Sequence, residues 1–293
     1  MDNKQLDTPI LLMIFNRPEI SDKSFEVVRK MKPKQFFICA DGPRKDRPDD
    51  VAKCEKAREI ANRVDWPCKV KTLFQKENLG CGTGSVTGIK WMFEHVDRGI
   101  IMDDDCLPHP SFYYFCQELL EKYKDNPKIM HISGNNFQDG KKRGNGSYYF
   151  SEYTHNWGWA TWARAWKYYD HNMISPEQRK HIWDKQWLNS VKRRGGLAVI
   201  PNVNLVSNIG SGEDATHTTE ITEFSNMKSH KMVFPLVHPK KIKRDVLADF
   251  YTYRHVFGGK IRTLTLEKII KITPKSFELP IKNGANVIKK IWK

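Results

Sequence analysis

Hydrophobic and polar positions in the first half of the chain follow two alternating rhythms. Residues 9–15 form a continuous apolar run, the pattern of a strand buried on both faces, and the run stops at Asn16-Arg17-Pro18. Residues 21–32 then place Phe25, Val28 and Met31 on one side, at helical spacing. The cycle repeats. The spacing predicts strands over 35–40, 68–74, 99–102 and 129–133, and helices over 51–64, 83–96 and 111–124. The 111–124 segment carries the clearest stripe, with Phe112, Phe115, Cys116, Leu119 and Tyr123 on one side and Glu118 four residues before Lys122 on the other. Alternating strands and helices of this length predict an α/β fold with a mostly parallel central sheet flanked by helices.

After residue 147 the texture changes. Residues 148–166 are dense in aromatics, and two readings stand for 157–166: a helix packed by aromatics, or a platform on which the apolar faces of a sugar ring stack. Residues 171–196 read as mainly helical, 197–201 as a strand, and 202–219 as a polar, glycine-containing loop. No internal repeat or low-complexity segment interrupts the chain.

Charge adds a second layer. The chain has 293 residues and a net charge of +15. No nucleic-acid motif accompanies that charge, so nucleic acid is set aside as a partner, and an anionic substrate or an anionic membrane surface accounts for the balance equally well. From Lys260 to Lys293, nine Lys/Arg stand against two Glu. This basic, apolar-interleaved C-terminal extension reads either as an amphipathic helical anchor on an inner leaflet or as a helix packed on the main domain or a second copy. The first residues are polar, no run approaches a membrane span, and six cysteines lack paired spacing. Free thiols and a cytoplasmic location, with peripheral contact at the inner face of the membrane through 260–293, are the expectation.

The chemistry concentrates where strands end. The run Gly99-Ile100-Ile101-Met102 leads straight into Asp103-Asp104-Asp105. Three adjacent carboxylates repel one another unless a cation sits among them, and an oxygen-loving divalent ion bridging to a diphosphate answers that repulsion. Other strand ends carry Asn16 and Arg17, Asp41, Asn78, and Asn135 with Asn136. In parallel sheets ligands gather outside the carboxyl ends of the strands, so five polar strand ends point to one cleft.

The ordered series PILLMIFNRP (9–18), FFICADGP (36–43), GIIMDDDCLPHPSFYYF (99–115), ISGNN (132–136), WGWATW (157–162), WDKQW (183–187) and NIGSGEDATHT (208–218) resembles the nucleotide-sugar glycosyltransferases of the GT-A (Rossmann-like) fold. Within them it is similar to the branch that contains animal N-acetylglucosaminyltransferase I. The resemblance covers about residues 9–240. It implies a glycosyltransferase domain over 1–240, with a nucleotide-binding half at 1–146 and an acceptor and sugar half at 147–240, followed by the basic extension at 241–293.

It also implies roles. Phe15, Asn16, Arg17 and Asp41 would hold the base and ribose of a nucleotide, with uridine expected. Asp105 would ligate Mn²⁺ or Mg²⁺, and Asp104 and Asp103 would support nucleotide and metal, Asp103 replacing the glutamate of the relatives with a shorter side chain. Asn135, Trp157, Gly158 and Trp159 would floor the sugar and acceptor pocket, and His217 would lie near the diphosphate and metal. The relatives invert the anomeric centre, which requires one general base. Asp184 stands nearest the Trp-Asp-Asp-Trp segment of the animal enzyme, although Trp183 to Trp187 is one residue longer. Glu213 and Asp214 compete for that role. The implied donor is a nucleoside diphosphate sugar and the implied acceptor a glycan or lipid-linked hydroxyl, in surface polysaccharide synthesis. A sugar-nucleotide nucleotidyltransferase and a non-enzymatic glycan or nucleic-acid binding protein are the rivals.

Overall fold

The computed structural model describes residues 5–210 and 224–258. In chain order the elements are β1 (Ile10–Ile14), α1 (Pro18–Met31), β2 (Gln35–Ala40), α2 (Asp49–Arg58), β3 (Lys69–Phe74), α3 (Cys81–Phe93), β4 (Arg98–Asp103), β5 (Cys106–Pro108), α4 (Ser111–Lys122), β6 (Ile129–Ser133), β7 (Tyr148–Ser151), β8 (Trp159–Trp162), α5 (Ala163–Trp166), α6 (Pro176–Arg179), α7 (Asp184–Arg193), β9 (Leu197–Pro201), β10 (Val206–Asn208) and α8 (Val246–His255). The chain divides into two compact units, Met1–Asp249 and Phe250–Lys293. Only residues 250–258 of the second are described, and the basic run at 260–293 lies outside the described residues.

The alternation expected from the sequence produces the expected class: a large, mostly parallel central sheet flanked by helices. Its strand order is β3-β2-β1-β4-β8-β6-β9-β7, and β5 and β10 form a separate pair. β3, β2, β1 and β4 are mutually parallel. β8 runs antiparallel between β4 and β6 and joins the two halves of the sheet.

β1 shows why the sheet is buried on both faces. Ile10, Leu12 and Ile14 pack with Phe25 and Val28 of α1, whereas Leu11 and Met13 pack with Ile89 and Met92 of α3. Period-two alternation thus feeds two separate cores. β3 is the exception, an exposed edge strand carrying Lys69 and Lys71, a charge pattern that discourages pairing with another chain.

The aromatic segment departs from both sequence readings. It is neither a packed helix nor an open platform but a strand, β8, followed by the single turn α5. Trp159 enters one core and Ala160 and Trp162 the other, the same alternation as in β1. The region read as mainly helical at 171–196 breaks into a 3-10 turn at His171–Met173, the short α6, and α7.

Candidate functional site

The order β2-β1-β4 creates a switch point, because the chain leaves β1 toward β2 on one side while β4 joins it on the other. Ligand crevices in α/β sheets open at such points. Met13 pairs with Asp103 in the β1–β4 register, so Phe15-Asn16-Arg17 and Asp104-Asp105 emerge side by side. Pro18 then starts α1, where its fixed φ and missing N–H cost nothing.

Arg17 organises the acid triplet. Its Nη2 forms a charge-assisted bond to Asp104 Oδ1 and another, 2.9 Å long, to Asp105 Oδ2. Ser21 Oγ donates to Asp104 Oδ2 at 3.1 Å. Burial acts to lower the Arg17 pKa, but the two carboxylates outweigh it and the net shift is upward. Burial pushes Asp104 up to about 6 against the opposing pull of Arg17 and Ser21. Asp103 is held well above the usual carboxylate range by burial, then by the charges of Asp105 and Asp104. No hydrogen bond to its carboxylate is seen among the described residues. Asp105 has a further tether: Asn208 Nδ2 donates to its Oδ1 at 2.9 Å, and the β5–β10 pair brings Asn208 opposite Cys106. Gly210 then crosses so close that a Cβ there would collide with the Asp105 carboxylate. Asn208 and Gly210 fall in the stretch read as a polar loop, so β10 and this tether were not anticipated.

Arg17 is shared between Asp104 and Asp105, and the crowding that raises the pKa values of Asp103 and Asp104 is what a bound cation would relieve. Among the described residues no group of three His, Cys, Asp or Glu side chains is arranged to hold a metal. Mg²⁺ and Mn²⁺ are commonly taken by one or two carboxylates, with substrate phosphates and water completing the shell. Asp105 Oδ1 accepts from Asn208 and, at 3.8 Å, from Cys106 Sγ, whereas among the described residues its Oδ2 accepts from Arg17 alone and keeps a lone pair free.

The end of β2 behaves differently. Asp41 Oδ1 accepts from the backbone N–H groups of Gly42 and Leu79, both at 2.8 Å. Its Oδ2 accepts from Gly80 N at 3.0 Å and Asn78 Nδ2 at 3.1 Å. Four donors fill the four acceptor sites of a carboxylate, so Asp41 latches the β3–α3 loop and has no site left for a base or ribose. Asn16 likewise turns inward, donating from Nδ2 to Asp50 Oδ1 at 2.6 Å. Asp50 is fully buried, and Arg44, Asn16 and the Arg44 amide hold it down at about 2 against the penalty of burial. The half-buried Phe15 carries the Arg44 guanidinium 5.4 Å above its ring centroid.

In the second half of the chain the predicted sugar residues separate. Asn135 Oδ1 accepts from Trp157 N at 3.0 Å, while its buried Nδ2 has no partner. Trp157 is half-buried and meets Phe137 edge-on at 5.2 Å. Gly158 adopts φ +63° beneath Val206, a conformation a side chain would strain. Trp159 is the correction. It is fully buried, stacked on His131 at 5.0 Å and on Trp183 at 5.7 Å, and it offers no face to a sugar.

The tryptophans of the 183–187 motif are anchors. Trp183 packs on Trp159, and Trp187 Nε1 donates to His131 Nδ1 at 3.1 Å. Asp184, between them, is exposed at the start of α7. Its charge contributes to the upward shifts of Cys81 and Asp103. The neighbouring Lys180 carbonyl accepts from Gly82 N at 2.8 Å, tying this segment to the start of α3. Glu213, Asp214 and His217 lie outside the described residues.

No family model and no curated protein matches the chain. Solved structures that resemble it include a mannosyltransferase from Pyrobaculum calidifontis in complex with GDP-Man and Mn²⁺ (TM-score 0.45, 11% identity, covering 69% of this chain and 58% of that one). They also include a UDP-glucose pyrophosphorylase complexed with UDP-glucose (0.40, 12%, 67% and 90%) and the inositol-1-phosphate CTP transferase from T. maritima (0.43, 10%, 73% and 94%). The chain therefore spans 58% of the length of the mannosyltransferase. These likenesses are remote, and the site is read from its own geometry.

Proposed function

We propose that this protein is a metal-dependent, inverting glycosyltransferase that moves a sugar from a nucleoside diphosphate to a hydroxyl acceptor. One observation carries the reading: at the β1–β4 switch point three crowded aspartates meet one arginine, which is committed to Asp104 and Asp105, and among the described residues no hydrogen bond to the Asp103 carboxylate is seen. A solvated acidic turn would not be buried and clamped by an arginine and a serine.

In this reading Asp105, with Asp103 beside it, holds Mn²⁺ or Mg²⁺. When bound, the ion offsets the charge that develops on the departing diphosphate. Arg17 fixes the orientation of Asp104 and Asp105. The nucleoside lies over Phe15, and the sugar and acceptor lie toward Asn135, Trp157 and Gly158. Asp184 takes the proton of the acceptor hydroxyl as its oxygen attacks C1 and the bond from C1 to the diphosphate breaks. Glu213 and Asp214 are the alternative bases, and His217 is a further group for the diphosphate. The acceptor is a glycan or lipid-linked hydroxyl, and 260–293 is the segment that would meet a membrane surface. No helix among the described residues is long and apolar enough to cross one.

The test is a panel of nucleotide sugars incubated with and without Mn²⁺. Release of nucleoside diphosphate and free or transferred sugar, dependent on Mn²⁺, is the expected result. Formation of nucleotide sugar from a nucleoside triphosphate and a sugar phosphate, with pyrophosphate released, would replace this reading with nucleotidyl transfer.

A further inference from the structure

Arg44 and Asp50 have no place in the roles above, yet the chain commits a buried carboxylate to holding this one arginine. Asp50 is fully buried in the first turn of α2. Arg44 Nε donates to Asp50 Oδ2 at 2.6 Å, Arg44 Nη2 to Oδ1 at 2.9 Å, and the Arg44 backbone N–H to Oδ2 at 3.2 Å. Asn16 adds a fourth donor. The guanidinium is therefore fixed in plane by a two-pronged bond while lying over the Phe15 ring, and its side chain remains 41% exposed. No hydrogen bond to its Nη1 is seen among the described residues. The pair compensates the buried Asp50 charge and at the same time holds an exposed guanidinium in one orientation.

Position gives the arrangement a meaning. Phe15 follows β1, and Arg44 lies in the β2–α2 connection. The acid triplet ends β4, on the opposite side of β1. From β4 to β2 is two strand spacings, about 10 Å, the length scale that separates a diphosphate from its base. Asp41, the other polar group at the end of β2, has no acceptor capacity left. Arg44 is a donor only.

We infer that Arg44, oriented by Asp50, reads the nucleobase of the donor at C4 of a pyrimidine or C6 of a purine, and selects uracil and guanine, which present a carbonyl at that position, over cytosine and adenine, which present an amino group. The inference rests on the nucleotide-sugar reading of the crevice. A donor-only guanidinium held in place pairs with the carbonyl and is left facing another donor when the amino base enters, which is how polar sites discriminate.

The experiment is calorimetric titration of UDP, GDP, CDP and ADP into the full chain with Mn²⁺ present. Wild type is expected to bind UDP or GDP at least ~10-fold tighter than CDP or ADP. Arg44→Ala should bring those affinities within about two- to threefold of one another. Arg44→Lys should also lose most of the preference, because a point charge lacks the planar fork. Asp50→Asn, which frees the arginine without removing it, should give an intermediate result, and melting curves of all three variants exclude unfolding as the cause. A wild type that binds all four equally, or an Arg44→Ala variant that keeps the preference, would overturn the inference while leaving the crevice a nucleotide site. Failure of wild type to bind any nucleotide would overturn the proposed function and this inference together.

Discussion

The ends of β2 and β4 carry aspartates in equivalent topological positions and treat them in opposite ways. Asp41 is saturated by three backbone N–H groups and an asparagine amide. Asp103 has like charges on its flank, and the nearby Arg17 is committed to Asp104 and Asp105. Burial raises both pKa values, but only Asp41 receives donors in return. A saturated carboxylate builds structure. A crowded, unpartnered one leaves a deficit of positive charge that a ligand can fill. The contrast is why the proposed site is placed at the end of β4 and not at the end of β2.

Substitutions should separate the two ends, and the largest effect belongs to β4. Asp105→Ala is expected to lower Mn²⁺-dependent transfer by at least about 10²-fold with the fold retained, as judged by circular dichroism and initial rates together. At β2, Asp41→Ala strands several donors and should cost about 2–3 kcal/mol in urea unfolding, with residual activity in the folded fraction. If instead Asp41→Ala leaves stability intact and abolishes nucleotide binding, the division between the two ends fails.

Asp50→Asn should cost about 1–2 kcal/mol, the exposure of Arg44 reducing the value of the pair. Because the folded pKa of Asp50 is depressed to about 2 from 3.8, its stabilisation is fully present above the unfolded value and is lost as pH falls through the folded one. The gap between wild type and variant should thus be flat at neutral pH and close below about pH 4.

Asp103→Asn should have the smallest effect and the opposite sign. A carboxyl whose folded pKa is raised favours the folded state at low pH and loses that advantage as pH rises through the folded value. Without metal, the variant should therefore melt on the order of 2–4 °C above wild type at pH 7 and level with it near pH 4. A lower melting temperature at pH 7 would show that Asp103 is partnered.

The sequence displays the parallel half of the sheet well, because apolar runs of β1, β2 and β4 alternate with amphipathic helices whose stripes match the observed cores. It displays the mixed half poorly. β8 is a strand between two others, so Trp159, Ala160 and Trp162 are buried on both faces, and an all-round apolar segment does not distinguish a strand from a helix by periodicity. Trp159 was therefore misplaced from the core into the sugar pocket. The triplet and Arg17 were legible as chemistry, since adjacent charges at a strand end need an explanation. Their individual partners were not. Asp41 was assigned to the nucleotide because nothing in its neighbours reveals that Leu79 and Gly80 return to meet it. The Arg44–Asp50 pair is local, six residues apart, but lies where no periodic pattern marks it, and Asn208 lies in what reads as a polar loop. The contacts of Asp41 and Asn208 join segments that only the folded chain brings together.

The central claim is that the crevice between β1 and β4 takes a nucleoside diphosphate through a divalent ion at Asp105. Calorimetric titration of UDP and GDP into wild type and Asp105→Ala, each with and without Mn²⁺, tests it most directly. The account predicts binding of at least one of the two to wild type that strengthens at least about tenfold with Mn²⁺, and no Mn²⁺ enhancement in Asp105→Ala. Equal affinity in all four conditions, or enhancement that survives the loss of Asp105, would contradict it.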